Sequence, residues 1–323
     1  MEESREMNQE IQSSEILFIY DAKLCNPNGD PDEENRPRID IKTQTNLVSD
    51  VRLKRYFRDY IINKYGEKNI WVSKVEDKHV TSDEKLKSLK INSPEDILNS
   101  CIDVRLFGAT IPIRGARGKS LTFTGPVQFS WGFSLNRVEL VESSTITSVF
   151  VGREQKAEEG EQTYGTMGKD WRLYYSLIAF YGVINGRRAK KTGLKKEDIE
   201  ILDNILWKAV SLEPTTRSKI GEKPHLYVRV EYKNAETLIG DLRKYIEVEQ
   251  KGETIRDFTD LKMDFTRLVN ALNKHKEDIL RIYVNYSDEI KEFIKPLEDC
   301  FKDMIQTLPH GINEEKYFEK KQL

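Results

Sequence analysis

Apolar and polar positions along this chain fall into patterns that predict four strands and two helices. Ile16-Leu-Phe-Ile-Tyr, within Glu15 to Asp21, is apolar and β-branched without a break, the character of a buried first strand. From Val127 to Asn136 the period is two: Val127, Phe129, Trp131, Phe133 and Leu135 alternate with Gln128, Ser130, Gly132, Ser134 and Asn136. That predicts a strand with one dry face against helices and one polar face left to solvent. Leu173 to Asn185 is apolar on both alternating sets and rich in aromatic and β-branched residues, so a buried strand is expected. Leu226, Val228, Val230 and Tyr232 alternate with polar neighbours in a fourth. One helix should start with Ser49 as N-cap and carry Val51, Leu53, Phe57, Tyr60 and Ile61 inward. A second, over 195–210, is amphipathic through Ile199, Leu202, Leu206 and Ala209.

The order is strand, helix, strand, strand, helix, strand. It predicts an α+β fold on the ferredoxin-like βαββαβ plan, the scaffold of RNA-recognition motifs, stretched by long insertions. Residues 15–232 would form this body. One insertion at 66–126 is weakly patterned in its first part, and another at 142–170 reads as a protruding hairpin or loop, Ser/Thr-rich and then Gly-rich. Residues 1–14 read as a flexible polar leader. Residues 233–323 read as a mostly helical extension, because Ile290, Phe293, Ile294, Leu297, Phe301, Ile305 and Leu308 keep helical spacing, with Pro296 a kink or boundary.

At 323 residues the chain is long enough to bury a sizeable core. No apolar run approaches the roughly 20 residues of a membrane span, and the start lacks the pattern of a secretory signal, so a cytoplasmic protein is expected. Cys25, Cys101, Cys300 and the four histidines are scattered without metal-ligand spacing, so no metal or cofactor is expected. Net charge is only −2, but its distribution is uneven. Val104 to Val138 holds no Asp or Glu, yet carries Arg105, Arg114, Arg117, Lys119 and Arg137. Further basic runs are Arg52, Lys54, Arg55, Arg58 and Gly186-Arg-Arg-Ala-Lys-Lys. A polyanion would be held by such local patches rather than by the global field.

Asn26-Pro-Asn-Gly-Asp-Pro, continuing to Arg36-Pro-Arg-Ile-Asp, is the most unusual stretch. Asn28, Asp30 and Asp32 alternate like the start of a calcium loop, but the glycine is misplaced and no glutamate closes it. A turn held by Asx hydrogen bonds is the plainer reading. No phosphate-binding P-loop, zinc-hydrolase helix or Lys/Arg-Gly-Phe RNA-recognition signature occurs, and the scattered histidines offer no Ser/His/Asp set.

Tyr20-Asp-Ala-Lys-Leu-Cys-Asn-Pro-Asn-Gly-Asp-Pro, Arg36-Pro-Arg-Ile-Asp and Val48-Ser-Asp-Val-Arg-Leu-Lys-Arg together resemble the opening of the CRISPR-associated backbone proteins. These are the repeating subunits of type I Cascade complexes, and the Csh/Csd-type branch, type I-B, is the nearest match. Asp103-Val-Arg-Leu-Phe-Gly-Ala, Gly125-Pro-Val-Gln-Phe-Ser-Trp-Gly and Gly165-Thr-Met-Gly-Lys extend the resemblance over about residues 15–232. It implies a modified RNA-recognition palm with a finger insertion and a thumb hairpin. It also implies a non-catalytic subunit that coats a guide RNA (crRNA). The implied partners are copies of itself, other Cascade subunits and the target DNA strand paired to the guide, with no membrane.

Mapped onto this chain, the resemblance makes the helix from Ser49 through Arg52, Lys54, Arg55 and Arg58 the RNA-facing helix, its cations gripping phosphates without reading sequence. Asn26 and Asn28 would lie beside it. Arg114, Arg117 and Lys119 resemble a basic finger, Met167 a wedge beside a base, and Lys169 the thumb base. The Arg187–Lys191 run reads as a solubilising loop, with phosphate contact the alternative. The rival function is a metal-dependent target-RNA nuclease of type III-like complexes, with Asp30, Asp32 or Asp40 as its carboxylate.

Overall fold

The computed structural model describes residues 10–75, 78–112, 120–142, 144–147 and 167–319. Strand β1 (Ser14–Cys25) is buried along both faces from Ser14 to Ala22, as its unbroken apolar run requires. Two short strands follow, β2 (Ile39–Asp40) and β3 (Thr45–Val48), and then helix α1 (Asp50–Tyr65). The insertion holds helices α2 (Ser82–Ser88), α3 (Pro94–Ser100) and α4 (Ile102–Phe107) and the hairpin β4 (Gly108–Pro112) and β5 (Ser120–Thr124). The main sheet resumes with β6 (Val127–Phe129), β7 (Gly132–Ser134) and β8 (Leu173–Ile184). Helix α5 (Lys196–Leu212) leads into β9 (Glu222–Tyr232).

Nine described strands form this sheet. At its centre β9, β1, β8 and the β6–β7 segment lie side by side, each antiparallel to the next. Numbered along the chain, that order is fourth, first, third, second.

The segment from Val127 to Asn136 departs from the expected single strand. Phe129 stands opposite Gly182 but Phe133 opposite Ala179, so one extra residue is bulged out between them. A one-residue slip exchanges the faces. Gly132, Ser134 and Asn136 are therefore buried, while Trp131 is 47% exposed. Gly132 lies flat on Phe180, where a Cβ would approach the ring to 2.5 Å, so a side chain there would force the strand away.

The region after 232 is not mostly helical, contrary to expectation. β10 (Ile279–Tyr286) extends the main sheet antiparallel to β9, and β11 (Ile305–Thr307) adds a parallel edge. Ile279-Leu-Arg-Ile-Tyr-Val is rich in apolar and β-branched residues, and the edge of β9 supplies its partners. The helical spacing read from Ile290 to Leu308 holds only for helix α6 (Lys291–Cys300), which contains Pro296. This region covers one face of the sheet, packing Phe258, Met263, Leu268, Leu272, Ile294 and Phe301 against Leu17, Ile19, Leu177, Val228 and Val230. Helices α1 and α5 cover the other face, through Leu53, Phe57, Leu202 and Leu206 against Ile16, Phe18 and Phe180. Neither face of the central strands is left to solvent. The insertion builds a small core of its own from Trp71, Ile91, Ile97, Cys101, Val104 and Ile111. Among the described residues no helix is long and apolar enough to cross a membrane.

Candidate nucleic-acid interface

The chain after β1 folds back on itself over Asn26 to Arg38, and its backbone is tied at several points. Asn26 donates its backbone N–H to the Ser218 carbonyl (2.7 Å) and its side-chain amide to the Asn35 carbonyl (2.7 Å), and Lys219 donates to the Asn26 carbonyl. Asn28 Oδ1 accepts from both the backbone N–H and the hydroxyl of Ser49, at 2.8 and 2.9 Å, at the head of α1. Ser49 has the extended backbone of an N-cap, but its hydroxyl is turned to Asn28 instead of the helix. Asp30 takes the Asp32 N–H (3.2 Å) and the Arg38 guanidinium (2.7 Å), as in an Asx turn. Asn26 is 1% exposed and Ser49 7%, so both are internal fastenings of the loop and their side chains are not offered to a ligand.

Helix α1 departs from its expected geometry. Leu53, Tyr56, Phe57, Tyr60 and Ile61 are buried, but Val51 is 63% exposed. Val51 lies two residues before Leu53, about 200° round the helix, and so misses the buried arc. Lys54 and Arg58, expected on the outer surface, are each 8% exposed. Arg58 pairs with the buried Asp103 of α4 (2.9 Å), and Lys54 pairs with Asp50 (2.8 Å). Both lie against the Phe107 ring, which meets Phe57 edge to face. The insertion packs on this flank, which is why its cations are internal. Arg52 stacks on Tyr56, its guanidinium carbon 3.9 Å from the ring centre, and reaches Thr215 (3.4 Å). Arg55 alone of the four points outward, 46% exposed and paired with Asp59.

The other exposed cations of this region come from other segments. Trp171, just after the strand Met167–Lys169, has Arg36 on its ring at 5.3 Å and Lys169 at 5.8 Å. Arg36 belongs to the loop and Lys169 to the base of the 142–170 hairpin, where Met167 pairs with Thr147 and Lys169 with Thr145. Arg172 fastens this end to β1 by donating to the Leu24 carbonyl (2.8 Å), and donates also to Asp170, which the 62%-exposed Arg217 approaches from the turn before β9. On the other side of the loop, Arg38 lies 5.8 Å from the exposed Trp131 ring over a cleft of about 680 Å³ that also holds Asp30, Gln44 and Glu139. Guanidinium and ammonium groups set against indole faces suit phosphate contact combined with base stacking.

Of the basic stretch between Val104 and Val138, Arg105 is internal, gripping Asp198 through two nitrogens at 2.8 Å each. Arg114, Arg117 and Lys119 lie outside the described residues. The Arg187–Lys191 run is a short helix whose Arg187 pairs with Glu236 and Lys190 with Glu10.

A family model described as CRISPR-associated protein Cas7 matches residues 12–266. The chain belongs to the Cas7 family. A Cas7 protein of Haloferax volcanii is 34% identical over 301 residues, 85% of this chain and 86% of that one. A solved chain described as a CRISPR RNA-guided surveillance complex, pre-nicking, superposes with a TM-score of 0.53 at 12% identity, covering 95% of this chain and 98% of its own. At that identity the likeness is one of fold.

Two side-chain arrangements in this Cas7 chain bear on catalysis. Asp30 is neutralised by Arg38 and Asp40 accepts the Lys42 N–H (3.0 Å); among the described residues no three His, Cys, Asp or Glu converge to hold a metal. The structure does assemble a Ser/His/Asp line that the sequence does not reveal: Ser287 Oγ is 2.9 Å from His225 Nδ1, and Asp21 Oδ2 is 2.9 Å from Nε2. The order is the reverse of a hydrolase, where serine faces Nε2. His225 is 1% exposed and flat on Phe258, and Asp21 also accepts from Tyr175. These contacts brace the sheet beneath its cover.

Proposed function

We propose that this Cas7-family chain is a crRNA-binding backbone subunit of a type I CRISPR surveillance complex, working in the cytoplasm. Copies pack along the guide RNA and present it for pairing with target DNA, with no cleavage by the subunit itself. The observation that carries this is the meeting of three distant segments around Trp171: Arg36 from the loop, Lys169 from the hairpin base, and Arg217 from the turn before β9. Such a surface holds a backbone without reading sequence. The central strand order, fourth-first-third-second, supports the RNA-recognition-like palm. Because both sheet faces are covered, RNA binds at the loop end instead of across the sheet. The strands Thr145–Thr147 and Met167–Lys169 are the base of the thumb, and residues 66–126 the finger.

The protein purified at low salt is expected to carry RNA, to protect it from nuclease at regular intervals, and to leave it uncut when magnesium is added. Magnesium-dependent cutting at regular spacing would replace this reading with the type III-like nuclease. Absence of any RNA affinity would remove the interface itself.

A further inference from the structure

Behind the Asn26–Arg38 loop lies a polar cluster that neither the helix nor the sheet requires. Glu222, at the start of β9, is 6% exposed and accepts the hydroxyl of Tyr56 on α1. Arg52 covers that same Tyr56 ring. Tyr20 and Cys25, both fully buried on β1, close the other side. Three residues before Glu222 on the turn, Lys219 reaches through to the carbonyl of Asn26. The turn is bound to β1 and the loop twice more, through Lys23 N–H to Gly221 O (2.9 Å) and Asn26 N–H to Ser218 O (2.7 Å). Gly221 has φ +119°, and a Cβ there would meet the Lys23 carbonyl at 2.2 Å, so the turn's close approach depends on glycine.

We propose that Lys219 is a positioning residue for the RNA-binding loop: its ammonium ties the loop at the Asn26 carbonyl. This rests on the RNA-binding reading of that loop. Burial, then the neighbouring Arg52, depress the Lys219 ammonium to about 8, while Glu222 and Cys25 oppose the fall. Burial pushes the Glu222 carboxyl up to about 7, against the pull of Tyr56, Arg52 and Lys219, with Asp21 adding to the rise. The loop's hold on RNA therefore weakens as pH rises through about 8. Stability moves the other way: an amine at its ordinary 10.5 when unfolded and about 8 when folded makes the folded chain bind fewer protons between those values, so this group's contribution to stability grows over that window.

Affinity of the full chain for a short single-stranded RNA, by fluorescence anisotropy from pH 6.5 to 9, tests this. The native chain should lose affinity above pH 8, and Glu222→Gln should begin its loss at lower pH. Lys219→Arg, which stays protonated, should be flat across the range. Lys219→Met should bind about tenfold more weakly than the native chain below pH 8, with the gap closing above it, as expected when a charged hydrogen bond is removed. Hydrogen exchange of the Asn28–Asn35 amides, without RNA, should be faster in Lys219→Met. Unchanged exchange in that variant, or a Lys219→Arg profile that falls like the native one, overturns the proposal. A native chain that binds no RNA, with faster exchange in Lys219→Met, leaves the tie standing and instead removes the RNA-binding reading.

Discussion

The cations of α1 and the cations around Trp171 differ in where the fold puts them. Arg58 and Lys54 are turned into the protein, against Asp103, Asp50 and the Phe107 ring. Arg36 and Lys169 come from segments with no helical pattern and stand exposed beside one indole ring. A basic residue on an amphipathic helix is ordinarily a solvated one. Here a second layer, the insertion, lies over that face and converts its charge into internal ion pairs. Exposed cations gather instead where loops and strand ends meet, as Arg36 and Lys169 do beside Trp171.

The largest effect that tests this contrast is on stability. Arg58→Ala leaves the buried Asp103 carboxylate with the Trp71 and Val72 N–H groups but no cation, and should destabilise the chain by about 3–5 kcal/mol, read from urea unfolding. The protein that remains folded should bind RNA as before. If the variant is as stable as the native chain yet binds RNA poorly, Arg58 is an RNA contact and the contrast fails. Next in size is the paired reversal Arg36→Glu with Lys169→Glu. It should weaken RNA binding at least tenfold and reduce the dependence of affinity on salt by about 0.7 for each phosphate that the variant no longer neutralises. Stability should stay within about 0.5 kcal/mol, as for other exposed positions. An unchanged salt slope would move the interface away from Trp171. The smallest expected effect is at Val51. Val51→Ala should shift stability by less than about 0.5 kcal/mol, because its side chain already lies in water. A drop of about 1 kcal/mol or more would restore it to the buried stripe.

Much of the central sheet and its helices was legible from periodicity. β1, β8, α1, α5 and β9 all lie where apolar spacing puts them, since that spacing records which faces must leave water. The Asn26–Arg38 loop was legible as a turn from its Asn, Gly, Asp and Pro residues, each of which serves a local hydrogen bond or fixed dihedral. Local pattern failed at 127–136, because a bulge changes the face of every residue beyond it without changing the alternation on paper. It failed again at 279–286, where an available edge on β9 decides for strand. Lys219, Gly221 and Trp171 carry no signal of their own, and only their positions beside Asn26, Lys23 and Arg36 mark them.

The chain's order of apolar runs thus determined the central sheet and its two covering helices, while its linked motifs carried the resemblance to the family. Tertiary structure alone decided which charges are available. Whether an arginine faces RNA or a buried aspartate depends on what packs over it, and that partner here lies 45 residues away for Arg58 and 93 for Arg105. Contacts at such separations leave no trace in local spacing, because spacing records only each segment's own need for a buried face.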